Sequence, residues 1–435
     1  MKLFAFLPFL APLVSAAAIS SAEKPITYDG YKVFRIDTHG RARGAVIEKM
    51  LQGLKAVQYN YDTDTNIEIA VAPEDLGKFE RMRLDFEVLD EDLGASIRAE
   101  GGFHPGGEQR FASSLNQLRP GAFPDESWFR AYHSFNDHQQ WLVDIQAGFP
   151  ENSELIEVGK SFEGRIITAL HLWGKDGKDA HKAVYWHGTV HAREWISTMV
   201  VEYNTYQIIT NYLKNDTTIT KVLDSYDFYI LPVVNPDGFA HTQTGDRLWR
   251  KNRLKHPSSS CIGTDMNRNW PYKWETTGGS STSPCSETFR GLSAGNTDEI
   301  TALVKFSEKL AAKNGIKSYI DWHSFSQLIL LPYGYSCNEH VPNYERQMEL
   351  ARGVASAIKQ VRKTTFTPGE TCPDLYKAVG GSTDWMQDVG KAEISWCIEL
   401  HPSGGGANGF ILPASQIEPA AKDLWAGMLY LLPTM

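Results

Sequence analysis

"KAVYWHGTVHAREWISTMVVEY", residues 182–203, passes from a β pattern to an α pattern within a few residues. Its opening, rich in valine and aromatic residues, reads as a buried strand that runs out near Gly188. From about Ser197 the apolar residues recur at helical spacing. Between the two lie His191 and Glu194, three positions apart, with Arg193 beside them and His187 at the strand end. Strand, turn and helix make the repeating unit of an α/β sheet covered by helices. Ligands of such sheets gather outside the carboxyl ends of the strands, so the same turn marks where a site is expected.

Similar strands recur at 227–234 ("DFYILPVV"), 317–323 ("KSYIDWH") and 394–400 ("ISWCIEL"). Helical pattern fills 297–313, 345–361 and 418–432, which places a mixed central sheet with helices on both faces over the C-terminal two thirds. His323 stands where its strand ends, 132 residues after His191. Two histidines and a glutamate form a three-ligand set that leaves the fourth position of a zinc ion open, the catalytic arrangement.

Upstream the character differs. From Tyr28 to about Glu100 the pattern runs strand (31–37), helix (43–54), strand (57–62), strand (66–73), helix (74–84), strand (85–92), the order of a small α+β ferredoxin-like sandwich. A stretch rich in Gly, Pro, Ser and charge follows at 101–128 and reads as an exposed linker open to a protease. The first residues, "MKLFAFLPFLAPLVSAAAIS", have the layout of a secretory signal peptide. The expected division is a signal at 1–17, the sandwich at 18–105, the linker at 106–122 and the main domain at 123–435, in a secreted, extracellular protein. No other segment approaches the roughly 18 to 20 apolar residues of a membrane span.

A formal net charge of -9 argues against a nucleic-acid partner, because phosphate binding needs a basic surface. The five cysteines, Cys261, Cys285, Cys337, Cys372 and Cys397, suggest two bridges and one thiol, which residue spacing alone does not pair. Asn215-Asp216-Thr217 is a glycosylation sequon. Nothing marks an oligomer, and a monomer is expected.

Further stretches in order along the chain, "LWRKNR", "GTDMNRNW", "SPCSET", "HSFSQLILLPYGY", "LYKAVGGSTDW" and "IEL" followed by "GFILPASQI", join "HAREW" in one set. Together they resemble the zinc metallocarboxypeptidases of the pancreatic carboxypeptidase A type, over roughly residues 123 to 435. The preceding sandwich looks like that family's inhibitory propeptide. The resemblance implies one Zn²⁺ held by His191, Glu194 and His323, with Asp265 orienting a ligand imidazole. It assigns Glu399 as general base and Arg250 as the group that stabilises the oxyanion. Asn267 and Arg268 would grip the terminal carboxylate of a peptide or protein substrate, Tyr376 would close over the bound residue, and Arg193 would assist the carboxylate's arrival or serve a structural salt bridge. Lys251 and Arg253 read as solvated charge.

By the same similarity Thr383 occupies the position that separates basic from apolar specificity, with Leu375, Ala378 and Cys397 as apolar lining. Threonine carries no charge to pair an ammonium, and burying one unpaired costs several kcal/mol. C-terminal aromatic and large aliphatic residues are therefore the expected substrates. Asp384, one position on, would be brought nearer by a shift of register. The similarity also pairs Cys261 with Cys285 and Cys337 with Cys372, leaving Cys397 free. Phe325 and the loop "HPSGGGANG" after Glu399 depart from the family pattern. The competing readings are a binding protein that has lost catalysis and an enzyme for basic C-terminal residues. Glu399 argues against the first and Thr383 against the second. The reading is thus a secreted zymogen, activated when a protease cuts the linker.

Overall fold

A computed structural model of the chain describes residues 25–61, 65–101, 115–404 and 409–435. The expected signal at 1–17, most of the linker and the middle of the loop after Glu399 lie outside those residues.

Near the N-terminus, β1 (Lys32–Asp37), α1 (Arg41–Leu51), β2 (Ala56–Gln58), β3 (Asn66–Val71), α2 (Leu76–Arg81) and β4 (Phe86–Asp90) follow one another. The strands pair antiparallel in the order β2-β3-β1-β4, the ferredoxin-like arrangement expected. Alternation along the strands builds two faces. Phe34, Ile36, Ile67 and Ile69 pack with Ile47, Leu51 and Phe79 of the two helices. Val33, Ala70 and Ala72 face the opposite way and join Leu248, Phe410 and Ile411 of the main body.

Two expectations change here. The strand read over 57–62 ends at Gln58, because the Asn60 side chain takes over the ladder: its Oδ1 accepts the Glu68 N–H at 2.9 Å and its Nδ2 donates to the Asn66 carbonyl at 3.0 Å. Tyr61 thereby leaves the sheet. After β4 comes a helix that was not expected, α3 (Leu93–Ala99), capped by Asp92 accepting from the Ala95 N–H. At seven residues it is too short for its periodicity to stand out.

The main body continues with α4 (Phe135–Gly148), β5 (Ser153–Lys160), β6 (Ile166–Leu172), β7 (Ala183–Gly188), α5 (Trp195–Leu213), α6 (Thr217–Leu223), β8 (Asp227–Leu231) and α7 (Pro236–Thr244). Then come α8 (Asp298–Lys313), β9 (Ile316–Ser324), β10 (Leu328–Leu331), α9 (Tyr344–Arg362), β11 (Thr367–Glu370), α10 (Thr371–Asp374), α11 (Ser382–Asp388), β12 (Ile394–Leu400) and α12 (Ile417–Thr434). One mixed sheet runs β11-β10-β12-β9-β7-β8-β6-β5, with β12, β9, β7 and β8 parallel at its centre.

Both faces of this sheet are covered, which is why its central strands are buried over nearly their whole length and mostly apolar. Val184, Trp186, Ile320, Trp322, Trp396 and Ile398 pack on the side of α5, α9 and α12. Ala183, Tyr185, Tyr229 and Tyr319 pack on the other side, with residues of α8 and α11. By the two-residue period, His187, Asp321, His323, Cys397 and Glu399 share that second face. Among the described residues no helix is long and apolar enough to cross a membrane. Cys261 is bonded to Cys285 and Cys337 to Cys372, and Cys397 is free.

Candidate active site

The carboxyl ends of β7, β9 and β12 converge. Glu399 is the register partner of His323 on the neighbouring strand, and Gly188 is the partner of Trp322. Beyond Gly188 the chain makes a turn held by side chains. Ser197 donates to the Glu194 carbonyl at 2.8 Å and accepts the Thr189 N–H at 3.0 Å, Asn235 donates to the Val190 carbonyl, and the Ala192 N–H bonds to the Arg250 carbonyl. Gly188 is needed where α5 crosses the strand: a Cβ there would meet the Pro232 oxygen at 3.2 Å and the Ser197 backbone at 3.4 Å. The turn delivers His191 and, at the position just before α5, Glu194.

His191 Nδ1 lies 2.9 Å from Glu194 Oε1, His323 Nδ1 lies 3.0 Å from Glu194 Oε2, and the two Nδ1 atoms are 3.1 Å apart. All three side chains are buried, and their inward atoms lie close enough together to share one cation. Two imidazoles and a carboxylate are a donor set that suits zinc. Burial alone would raise the Glu194 carboxyl, but His191 and His323 outweigh it and bring it down to about 2. The Glu194 carboxylate is thus ionised in the metal-free chain.

Asp265 serves as the junction. Its Oδ1 lies 3.1 Å from His191 Nε2 and accepts the Asn267 N–H at 2.9 Å, while its Oδ2 accepts from Arg250 Nε and Nη2 at 3.2 and 2.9 Å. Burial is overcome by Arg250 and His191, which hold this carboxyl well below its ordinary range. Arg250 is itself buried, 4.0 Å from Glu194 Oε1 and facing Tyr61 at 5.1 Å from the ring centre.

A cavity opens beside the cluster, lined by His191, His323, Glu399, Asn267, Arg268, Tyr376, Leu375, Ala378, Thr383, Asp384 and Cys397 among others. Burial pushes the Glu399 carboxyl up to about 8; Glu194 adds to the rise and His323 opposes it. Arg268 donates to the carbonyls of Gly279 and Asn267 and lies 5.7 Å from the Tyr376 ring. Gly380, at φ +69°, lets the segment carrying Tyr376 approach: a Cβ there would stand 2.5 Å from the Arg268 oxygen. Asp384 accepts the N–H groups of Gly334 and Tyr335, which spends its carboxylate on the loop, and burial raises it to about 7.

A second cavity of about 270 Å³ lies between the N-terminal sandwich and this site and includes Tyr61, Arg250, Glu194, Glu399 and Tyr376 in its walls. Tyr61 stands 6.5 Å from Tyr376. Arg193 lines neither cavity: it is fully buried, over the Phe410 ring at 4.0 Å, with Nη2 3.4 Å from the Tyr61 hydroxyl. Phe325 packs on the same Phe410 ring, at 4.9 Å between centres. Lys251, expected in solvent, is only 3% exposed and donates to the Pro284 carbonyl at 2.7 Å, inside the loop that Cys261–Cys285 closes. Asp321, which no motif singled out, lies 3.0 Å from His323 Nε2. Its signal was its place two residues before His323, on the same strand face.

The zinc carboxypeptidase family pattern matches residues 138–427. A protein of Arthroderma otae named metallocarboxypeptidase A is 41% identical over 435 residues, covering 99% of this chain and 98% of its own length. Among solved structures, that of thrombin activatable fibrinolysis inhibitor superposes with a TM-score of 0.80 at 29% identity, over 93% of this chain and 98% of the other. The carboxypeptidase A of Helicoverpa armigera gives 0.77 at 26% identity, over 93% and 97%.

Proposed function

The chain belongs to the zinc carboxypeptidase family and is a metallocarboxypeptidase, and from that premise we propose that it removes aromatic and large aliphatic residues from peptide C-termini, as a secreted zymogen. The observation that carries the reading is the His191–Glu194–His323 cluster opening onto a cavity that holds Glu399 and Arg268 and has Leu330, Leu375 and Ala378 in its wall.

His191, Glu194 and His323 would hold the zinc ion, which when bound would supply Lewis acidity toward the scissile carbonyl and the attacking water. The chain's own groups do the rest. Arg268 and Asn267 grip the terminal carboxylate and confine cleavage to the last residue. Glu399 takes the proton of the attacking water at its carboxylate and returns it to the leaving amine; a base raised toward neutrality is suited to both transfers. Arg250, fixed by Asp265, stabilises the negative charge that develops on the carbonyl oxygen. Tyr376 closes over the departing residue and excludes water. Thr383, Leu375, Ala378 and Cys397 give its side chain an uncharged wall, and Asp384 in the same lining spends its carboxylate on the N–H groups of Gly334 and Tyr335.

The N-terminal sandwich acts as the inhibitory propeptide. Tyr61 stands over Arg250 and beside Tyr376, where a substrate main chain would run. A protease that cuts the linker at 106–122 releases it. The test is release of the last residue from matched peptides ending in Phe, Leu, Lys or Glu, on intact and linker-cut protein, with and without a zinc chelator. Chelator-sensitive release of Phe and Leu after cutting is expected. Release of Lys would overturn the pocket reading, and no release from folded, zinc-loaded protein would overturn catalysis.

A further inference from the structure

His323 faces the other two ligands through Nδ1. A neutral imidazole that ligates through Nδ1 carries its proton on Nε2, and that proton needs an acceptor. Two side chains reach Nε2. Asn267 presents its amide nitrogen at 3.3 Å, because its oxygen accepts the Ser382 N–H at 2.9 Å. An amide nitrogen only donates, so Asn267 cannot take the proton. Asp321 presents Oδ1 at 3.0 Å.

Asp321 is fully buried in the middle of β9, where a lone carboxylate would be costly. Two groups offset that cost. His187, its register partner on β7, brings Nε2, which also meets the Tyr319 hydroxyl, to an ion-pair distance of 3.0 Å from the same Oδ1, and Ser382 donates its hydroxyl to Oδ2 at 2.5 Å. Ser382 is the first residue of α11, the helix that carries Thr383.

We propose that Asp321, braced by His187 and Ser382, is the positioning residue for His323: it fixes the tautomer and ring angle with which His323 meets the metal, and ties that ring to the pocket helix. Each ligand histidine then has its own carboxylate, Asp265 for His191 and Asp321 for His323. A carboxylate of this kind raises ligand basicity, and its loss typically weakens metal binding about 10–100-fold.

The proposal rests on the zinc reading of the site, and its test is zinc affinity of the full-length chain, measured by competition with a fluorescent chelator. Asp321→Asn is expected to bind zinc about 10–100-fold more weakly, and its cobalt-substituted form to show a displaced visible spectrum. Wild-type affinity with an unchanged cobalt spectrum would reduce Asp321 to a buried structural residue and end the proposal. A wild-type chain that takes up neither metal would remove the zinc reading, and this inference with it. Nitrogen NMR of the zinc-loaded wild type needs no variant: a His323 Nε2–H shifted far downfield supports a carboxylate acceptor, and its absence overturns one.

Discussion

Among the described residues two groups of histidine and carboxylate are compact enough for a cation, and they lie at opposite ends of the large sheet. His191, Glu194 and His323 stand at the carboxyl ends of the parallel strands. His171, Asp179 and Asp227 stand at the amino end of β8, where Asp227 is the first residue. In that second group the lone pairs are already spent. Asp227 accepts His171 Nε2 and the Asp179 N–H on Oδ1 and the His181 N–H on Oδ2. Asp179 accepts the Tyr229 hydroxyl at 2.6 Å and pairs with Lys313. His171 turns Nδ1 to Glu154 at 3.1 Å and stacks on Tyr229. In the first group carboxylates take the outer nitrogens, so the inward atoms are left facing one another beside a cavity. Proximity is common to both; the direction of the lone pairs separates a metal centre from a clamp.

The sharpest break between them is expected in activity. Glu194→Ala should lower kcat/KM by about 10⁴-fold, the several kcal/mol a metal contributes to the transition state, and empty the chain of zinc. Asp227→Ala should leave kcat/KM of the folded protein within about twofold and zinc at one per chain, since nothing it touches reaches substrate. Peptide kinetics with metal analysis decides; equal losses would erase the distinction. Next in size, Glu399→Gln should cut kcat about 10²–10⁴-fold with zinc content unchanged, because only the proton transfer is lost. Full activity would remove Glu399 from the chemistry.

Stability should reverse the ranking. Asp227→Asn leaves the fully buried His171 with a weaker partner at the sheet end and should cost about 3 kcal/mol in urea unfolding, whether or not zinc is bound. A loss that vanishes on chelation would mean the second group also holds metal. The smallest effect is in pH. Glu399 sits at about 8 in the metal-free chain, raised by burial, and a neighbouring dication lowers a carboxyl. A base must be ionised to act, so kcat/KM of the zinc enzyme should fall tenfold per unit on the acid side of a limb below pH 8. Stripping the zinc should move the infrared titration of Glu399 back up; a titration indifferent to metal would show that the two do not meet.

Much of this was legible because the chemistry sits where strands end. Period-two alternation located β7, β9 and β12; His323 and Glu399 are the next-to-last residues of β9 and β12, and His191 and Glu194 lie in the turn after β7. The sandwich showed in its element order. What escaped was tertiary. Asp321 reads as a charge inside a strand until the register brings His187 alongside. Lys251 reads as solvated in "LWRKNR", and only the closed loop supplies the Pro284 carbonyl that takes its ammonium in. Tyr61 continues the alternation of a strand, and the hydrogen bonds of Asn60 divert it into the cleft. α3 is brief and depends on its cap and on the surface beneath it.

Glu100, just beyond α3, forms a buried bidentate pair with Arg247 at 2.8 and 2.6 Å, while Arg247 also holds the carbonyls of Arg193 and Phe410. While the backbone runs unbroken from Glu100 into the main body, the carboxylate meets the guanidinium at an effective concentration of about millimolar or more, and no association entropy is lost. A single break in that stretch turns the same contact into a bimolecular one. At high protein concentration the two pieces would re-dock, and in dilute solution they would part and Arg247 would give its charge to water. Were that stretch cut, separation would be governed by dilution: reversible at high protein concentration, one-way where the protein is spread thin.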